Sequence, residues 1–239
     1  MASTSEVGHN KNAANFNALA QILQEMGPLY NPSNANITLE NFSPIQTTLA
    51  TAMSNLNEKK PIYTNAVADR EIAMASMSKK SSLVLNSFKS LRVSATDKEN
   101  VTTLVSKIRG YRKPKKVNPD TSDEKTISTA QLSFDSRIAN LDALIQFISS
   151  HPEYMPNEEE IKTASLQSYN NELKGLTQTV NAASNSLLTA RKQRNDLLYH
   201  NSENIIDLVR EIRSYLKSLG DTGKPYYKAA VRLKFRDMN

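Results

Sequence analysis

The sequence predicts an all-α fold: an elongated antiparallel helical bundle with coiled-coil seams, built from two tandem pseudo-symmetric repeats. Three observations predict it. Apolar residues recur at alternating spacings of three and four over long stretches, and no run of alternating apolar residues marks a strand. Two parts of the chain also match each other at a nearly constant offset.

The elements follow in chain order. Residues 1–11 form a polar tail with neither a basic start nor an apolar run. Ala14 to Met26 is a short amphipathic segment, followed by a loop with Pro28, Tyr30 and Pro32. A long seam then runs through Phe42, Ile45, Leu49, Ala52, Leu56, Tyr63, Ala66, Ala73 and Met77, interrupted by Lys59 and Arg70. Pro44 lies near the helix start, where a missing N–H is harmless. Pro61 is interior and predicts a kink or short break near Lys60. Residues 113–123 read as a charged, proline-bearing linker.

The second half repeats this order. Thr126 to Ser150 is amphipathic, and Pro152, Tyr154 and Pro156 form the next loop. Leu166, Tyr169, Leu173, Leu176, Val180, Ala183, Leu187, Ala190 and Leu197 hold a seven-residue repeat broken at Arg194. The stripe slips near Tyr199 to Ser202, which predicts a kink or a break, and resumes from Ile205 through Leu208, Ile212 and Tyr215 to Leu219. Unbroken from Glu158 to Leu219, such a helix would span about 90 Å. Gly220 to Pro225 reads as a helix stop, and residues 225–236 as a basic amphipathic C-terminal segment.

Asn15-Phe-Asn-Ala-Leu-Ala-Gln-Ile-Leu23 matches Asn140-Leu-Asp-Ala-Leu-Ile-Gln-Phe-Ile148, and the Pro-x-Tyr-x-Pro loops match one residue out of step. Heptads align by chance, but such a loop does not follow from heptad periodicity. The expected organisation is repeat 1 over 12–112 and repeat 2 over 124–239, packed as one bundle that buries both seams.

Composition removes most chemistries. With no cysteine there is no thiolate ligand, disulfide or thiol nucleophile, and the redox compartment cannot be read. His9, His151 and His200 are far apart in sequence, and six glycines spell no phosphate-binding loop. Glu158, Glu159 and Glu160 read as an acidic first helical turn that complements the macrodipole. No catalytic residue, metal ligand or cofactor is expected, and the chain reads as non-enzymatic.

Three sets of polar or amphipathic residues stand out. Arg70 and Arg194 match each other, and each follows an alanine of the seam (Ala66, Ala190) by four residues. A polar side chain at a seam position fixes register at a cost in stability, and the expected partners are carboxylates or backbone carbonyls. The rival reading is a shared anion site on the pseudo-two-fold axis. Residues 1–119 carry 15 Lys+Arg against 8 Asp+Glu, and residues 120–239 carry 15 against 16. The excess is concentrated in Lys107, Arg109, Arg112, Lys113, Lys115 and Lys116, a patch suited to phosphates or to a solvated linker. In the C-terminal segment Tyr226, Tyr227, Val231, Leu233 and Phe235 are candidates for self-association.

The functional expectation is a helical structural or scaffold protein acting through protein–protein contacts. Its first expected partner is itself, as a homo-oligomer or a filament, with an acidic protein surface as another. The alternatives are weak, non-specific nucleic-acid binding through 107–116 and a helical pore-former. Without a signal peptide or an apolar spanning segment, the default compartment is the cytoplasm. Export by a signal-independent route stays open.

Overall fold

Both apolar stripes are buried in the computed structural model, which describes residues 8–110 and 133–237. Phe42, Leu49, Ala52, Ala66 and Met77 are buried in the first; Leu166, Leu173, Val180, Ala183, Leu187 and Ala190 in the second. The helices are α1 (His9–Glu25), α2 (Leu39–Ala75), α3 (Met77–Ser90), α4 (Ala95–Arg109), α5 (Phe134–Ser149), α6 (Thr163–Asn195), α7 (Ile205–Ser218) and α8 (Gly220–Arg232). Tight three-residue turns lie at Gly27–Leu29, Ala35–Ile37 and Glu159–Ile161, and a π turn at Asp196–His200. No strand occurs among the described residues.

Local chemistry explains several of the ends. Ser94, Ser133 and Asn204 each accept a backbone N–H at the start of α4, α5 and α7, the usual work of an N-cap. Gly110 closes α4 with φ +73°, where a residue with a Cβ is disfavoured.

The chain divides into two compact units, each drawing on both halves of the sequence. The first holds Met1–Ile62 with Ser184–Asn239; the second holds Tyr63–Ala183. In the first unit α8 packs on α7 and on α1, and α7 meets the turn at Ala35–Ile37. Its core gathers Phe16, Leu19, Leu23, Phe42, Leu49, Leu198, Ile212 and Leu216. Phe16 and Phe42 stack with centroids 5.1 Å apart. In the second unit α4 packs on α3 and on α5, and α3 meets the turn at Glu159–Ile161. Its core gathers Met77, Val84, Phe88, Ile108, Leu141, Leu144, Ile148, Leu166 and Leu173.

Some expectations are corrected. Pro61 does not break α2, which runs unbroken through Pro44 and Pro61 to Ala75. Pro61 is exposed, as is Asn57, whose carbonyl loses its donor, so water can take the orphaned group. The break comes instead at Ser76, where the Tyr169 hydroxyl donates to the Ala73 carbonyl at 2.7 Å and accepts from Ser76 Oγ at 3.2 Å. The second stripe is broken at the slip, by the π turn and the Asn204 cap. Gly220 to Pro225 is not a long stop: Gly220, at φ +62°, reverses the chain and starts α8, which runs on through Pro225. α1 begins at His9 and α5 at Phe134. Residues 1–7, the linker 113–123 and the start of the segment expected from Thr126 lie outside the described residues.

Gly223 is where α8 meets the end of α7. A Cβ there would lie 2.5 Å from the Leu216 carbonyl oxygen and 2.6 Å from Leu219 Cβ, whereas one at Gly175 would meet nothing within 4 Å. Gly223→Ala should therefore destabilise by about 1–3 kcal/mol, the scale of overpacking. Gly175→Ala, inside α6, should stabilise by up to about 1 kcal/mol by restoring helix propensity. Urea denaturation of both variants checks the contrast; two equal shifts would contradict the packing.

The Tyr30 hydroxyl donates to the Ile37 carbonyl at 2.5 Å, and the Tyr154 hydroxyl to the Ile161 carbonyl at 2.9 Å. Burial pushes both phenols well above the ordinary tyrosine value, with Tyr215 adding to the first and Glu158 to the second. A raised folded pKa means that the unfolded chain loses its protons first. This stability is complete below pH about 10 and is lost as pH rises towards the folded values. A Tyr30→Phe, Tyr154→Phe variant should lose about 1–3 kcal/mol per bond at neutral pH, because each Ile carbonyl is left unpaired. Its stability should then fall less steeply above pH about 10. Melting curves across that range check both signs.

Candidate functional site

Five basic side chains converge in the first unit, and no Asp or Glu is among the described residues that line their cleft. The cleft has a volume of about 340 Å³ and is lined by His9, Lys11, Lys60, Arg191 and Arg194 with the backbone at Gly8. Arg191 and Arg194 are three apart on the last turns of α6, so they share a face. Lys60 comes from α2, and His9 and Lys11 from the first turn of α1. Gly8 precedes α1 at φ +132° and has no side chain to cap the helix's first N–H groups.

Arg194 is half-buried, and its Nε and Nη2 donate to the neighbouring Asn195 Oδ1 at 3.0 and 2.7 Å. Burial pulls its pKa below the usual arginine value; Tyr199 opposes the shift and Arg191 adds to it. Neither arginine of the cleft forms an ion pair among the described residues, although Lys192 beside them reaches Asp196 at 3.6 Å. Burial also lowers the pKa of His9, and the charge of Arg194 adds to that shift. A neutral imidazole can then accept at Nδ1, which lies 2.9 Å from the Tyr199 hydroxyl.

Beside the cleft a polar lock holds the C-terminal segment. Asn12 is almost fully buried; its Nδ2 donates to Tyr199 Oη at 3.1 Å and to the Arg236 carbonyl at 2.7 Å. Its Oδ1 accepts the Arg236 N–H at 3.1 Å. Asn15 Nδ2 donates to the Lys234 carbonyl at 2.7 Å. From α7, Arg213 donates to the Leu233 carbonyl at 2.6 Å and lies over the Phe235 ring at 5.5 Å.

The sequence-predicted residues fall into three situations. Arg70 and Arg194 are both half-buried, but neither meets a carboxylate among the described residues. Arg70 lies over the Phe134 ring at 3.9 Å, and its buried Nε has no hydrogen-bond partner. A guanidinium is weakly hydrated and planar, so an aromatic face or an amide oxygen can take the place of an acid. Lys107 and Arg109 are exposed on the last turn of α4, where cations complement the helix dipole. Arg112, Lys113, Lys115 and Lys116 lie outside the described residues. Tyr226, Tyr227, Leu233 and Phe235 are half-buried against the chain's own core, and Val231 is half-buried on α8.

Sequence reasoning missed Asn12, Asn15, Tyr199 and Arg213. The one available signal was the match of Asn15 to Asn140, since both asparagines are buried. Among the described residues no group of three His, Cys, Asp or Glu could hold a metal ion. No helix there is long and apolar enough to cross a membrane. Comparison of the chain with protein-family models, with curated proteins and with solved structures finds no match.

The lock yields a direct expectation. Asn12→Ala removes three hydrogen bonds and leaves the Arg236 backbone and Tyr199 short of partners, which should cost about 1–3 kcal/mol. It should also free the last residues for carboxypeptidase digestion, whereas Asn10→Ala should not. Equal digestion rates in the two variants would show that Asn12 does not hold the segment.

Proposed function

We propose that the chain is a non-enzymatic helical scaffold that works through protein–protein contacts, with a second copy of itself as first partner. The observation that carries this is a set of large apolar side chains standing in solvent: Ile72 is 73% exposed, Leu188 64% and Met155 83%. Single exposed apolar residues are common, but side chains this large and this open are what partner surfaces use as anchors. Leu188 has Asn185, Ser186 and Thr189 as neighbours in sequence, whereas Ile72 follows Asp69, Arg70 and Glu71, and Met155 lies between Glu153 and Glu158. Ala66, Val180 and Ala183, flanked by Tyr63 and Val67, form a small cluster of mostly small side chains.

We also infer a tandem duplication in which the repeats exchange their last two helices. Three paired features support it. Tyr30 and Tyr154 both bond a carbonyl seven residues ahead. α8 packs on α1 as α4 packs on α5, and α7 meets its turn as α3 meets the other. Each unit thereby combines the first helix of one repeat with the final pair of the other.

On this reading the C-terminal side chains stabilise the chain's own core, and assembly uses the exposed aliphatic positions. A contact between unlike surfaces that does not close into a ring propagates as a filament. Sedimentation velocity of the full chain should give masses above the 26.6 kDa monomer at high concentration. Ile72→Glu and Leu188→Glu should shift it to monomer with unchanged helicity. A strict monomer at all concentrations would overturn self-association and favour a monomeric adaptor.

A further inference from the structure

We propose that the groove along α3 is the docking site for the outer face of α8 from a second copy of the chain. It rests on the scaffold reading and names the surfaces through which copies would meet. The groove has a volume of about 420 Å³ and lies between α3 and the loop that precedes α6. Its inner wall is apolar, with Ile161 buried and Leu83 and Leu91 half-buried. Its open edge carries Met155, Glu158 and Glu160, all exposed. No lysine or arginine is among the described residues that line it.

The carrying observation is that one chain holds two exposed surfaces of opposite sign. Residues 151–161 contain four glutamates and no lysine or arginine, and residues 224–236 contain five lysines and arginines and no carboxylate. Glu159 is taken by Lys162 at 2.7 Å, but Glu158 and Glu160 form no ion pair among the described residues. On α8, Lys224 reaches Asp221 at 3.8 Å, whereas Lys228 and Arg232 form no ion pair among the described residues. An anionic partner would be repelled by the edge of the groove. A basic one is attracted, and the chain itself supplies such a surface.

Spacing fits the same pairing. Leu83, Ser87 and Leu91 are four apart and line the groove as a row about 12 Å long. Lys224, Lys228 and Arg232 are four apart on α8 and all exposed, while Gly223 and Ala230 on that helix are buried. Long basic side chains can lay their apolar stems on the wall and carry their charged ends to carboxylates at the edge. The contact joins unlike surfaces, so a copy that docks its α8 keeps its groove for the next, and the chain of contacts propagates unless it closes into a ring.

The test is sedimentation velocity of the full chain and of charge-reversed variants, at about 10 mM and about 150 mM salt. One variant carries Glu158→Lys with Glu160→Lys, the other Lys228→Glu with Arg232→Glu, all at exposed positions. Each alone should weaken self-association by about tenfold or more, because like charges then face each other. An equimolar mixture of the two should restore association, since each variant then offers the surface that the other has lost. Glu99→Lys with Glu203→Lys, which changes the net charge as much as the first variant does, should leave association unchanged. Association of the unaltered chain should be weaker at the higher salt. If a reversed pair loses helicity, Glu158→Gln with Glu160→Gln and Lys228→Gln with Arg232→Gln replace the two, and each should still weaken association. Association that neither pair weakens overturns this contact, and so does a loss in both reversed pairs that mixing does not restore. In both cases the scaffold reading keeps its own test at Ile72 and Leu188. A strict monomer at every concentration overturns the contact and self-association together.

Discussion

The first helix of the chain is not covered by its sequence neighbours alone. Phe16, Leu19 and Leu23 on α1 are fully buried, and α8, some 200 residues further along the chain, packs on that helix. α5, by contrast, is covered by α4, the helix that precedes it in the chain. A helix with one apolar face is stable only when something covers that face. Closing the first unit requires the two ends of the chain to meet. The polar lock does this: Asn12 and Asn15 from the start of α1 pair with backbone groups at Lys234 and Arg236. Buried amides tied to main chain are specific in a way that apolar contacts are not. They fix which residue sits where, and they penalise any register that leaves them unpaired.

How much of this was legible varies with the physics involved. The apolar stripes were readable because burial imposes the 3,4 spacing directly, although Asn170 and Thr177 take buried places beside the half-buried Tyr169 and Leu176. The division into units was not readable. Periodicity reports which face is covered and is silent about what covers it. Pro61 misled because proline removes a donor but does not forbid a helix where solvent can take the freed carbonyl. The break at Ser76 has no strong local signal, since it depends on a tyrosine hydroxyl 93 residues away. Gly220 was rightly seen as a turn. Its extent was overestimated, because Asp221 and Pro225 are both compatible with the early turns of a helix.

The candidate site shows a similar split. Arg70 and Arg194 were visible as polar interruptions of an apolar repeat, and that pattern marks a buried or half-buried charge. The nature of the partner was beyond reach, because a guanidinium accepts an acid, an amide oxygen or a ring. His9, Asn12 and Asn15 looked like part of a polar beginning to the chain. Only contact with Tyr199 and the C-terminal segment gives them a role. The aromatic residues offered for self-association were readable as amphipathic. Amphipathicity cannot say whether the apolar face meets the chain's own core or another molecule, and here the core receives Tyr226, Tyr227, Leu233 and Phe235.

The two seam arginines stand at matching places in the sequence and meet different surroundings. On the proposed duplication both began in one environment, four residues after a small alanine on a buried stripe. An aromatic residue at the first position of α5 gives the second unit a neutral lid over its arginine. In the first unit the corresponding residue is a histidine kept neutral by burial and by the arginine itself, and it bonds a tyrosine instead. The consequence is electrostatic. A ring lowers the cost of holding a half-buried cation without changing the net charge around it. Arg194 instead has Arg191 nearby, and that charge adds to burial in lowering its pKa. Phe134 against His9 therefore separates an arginine held under a ring from one held by an amide oxygen.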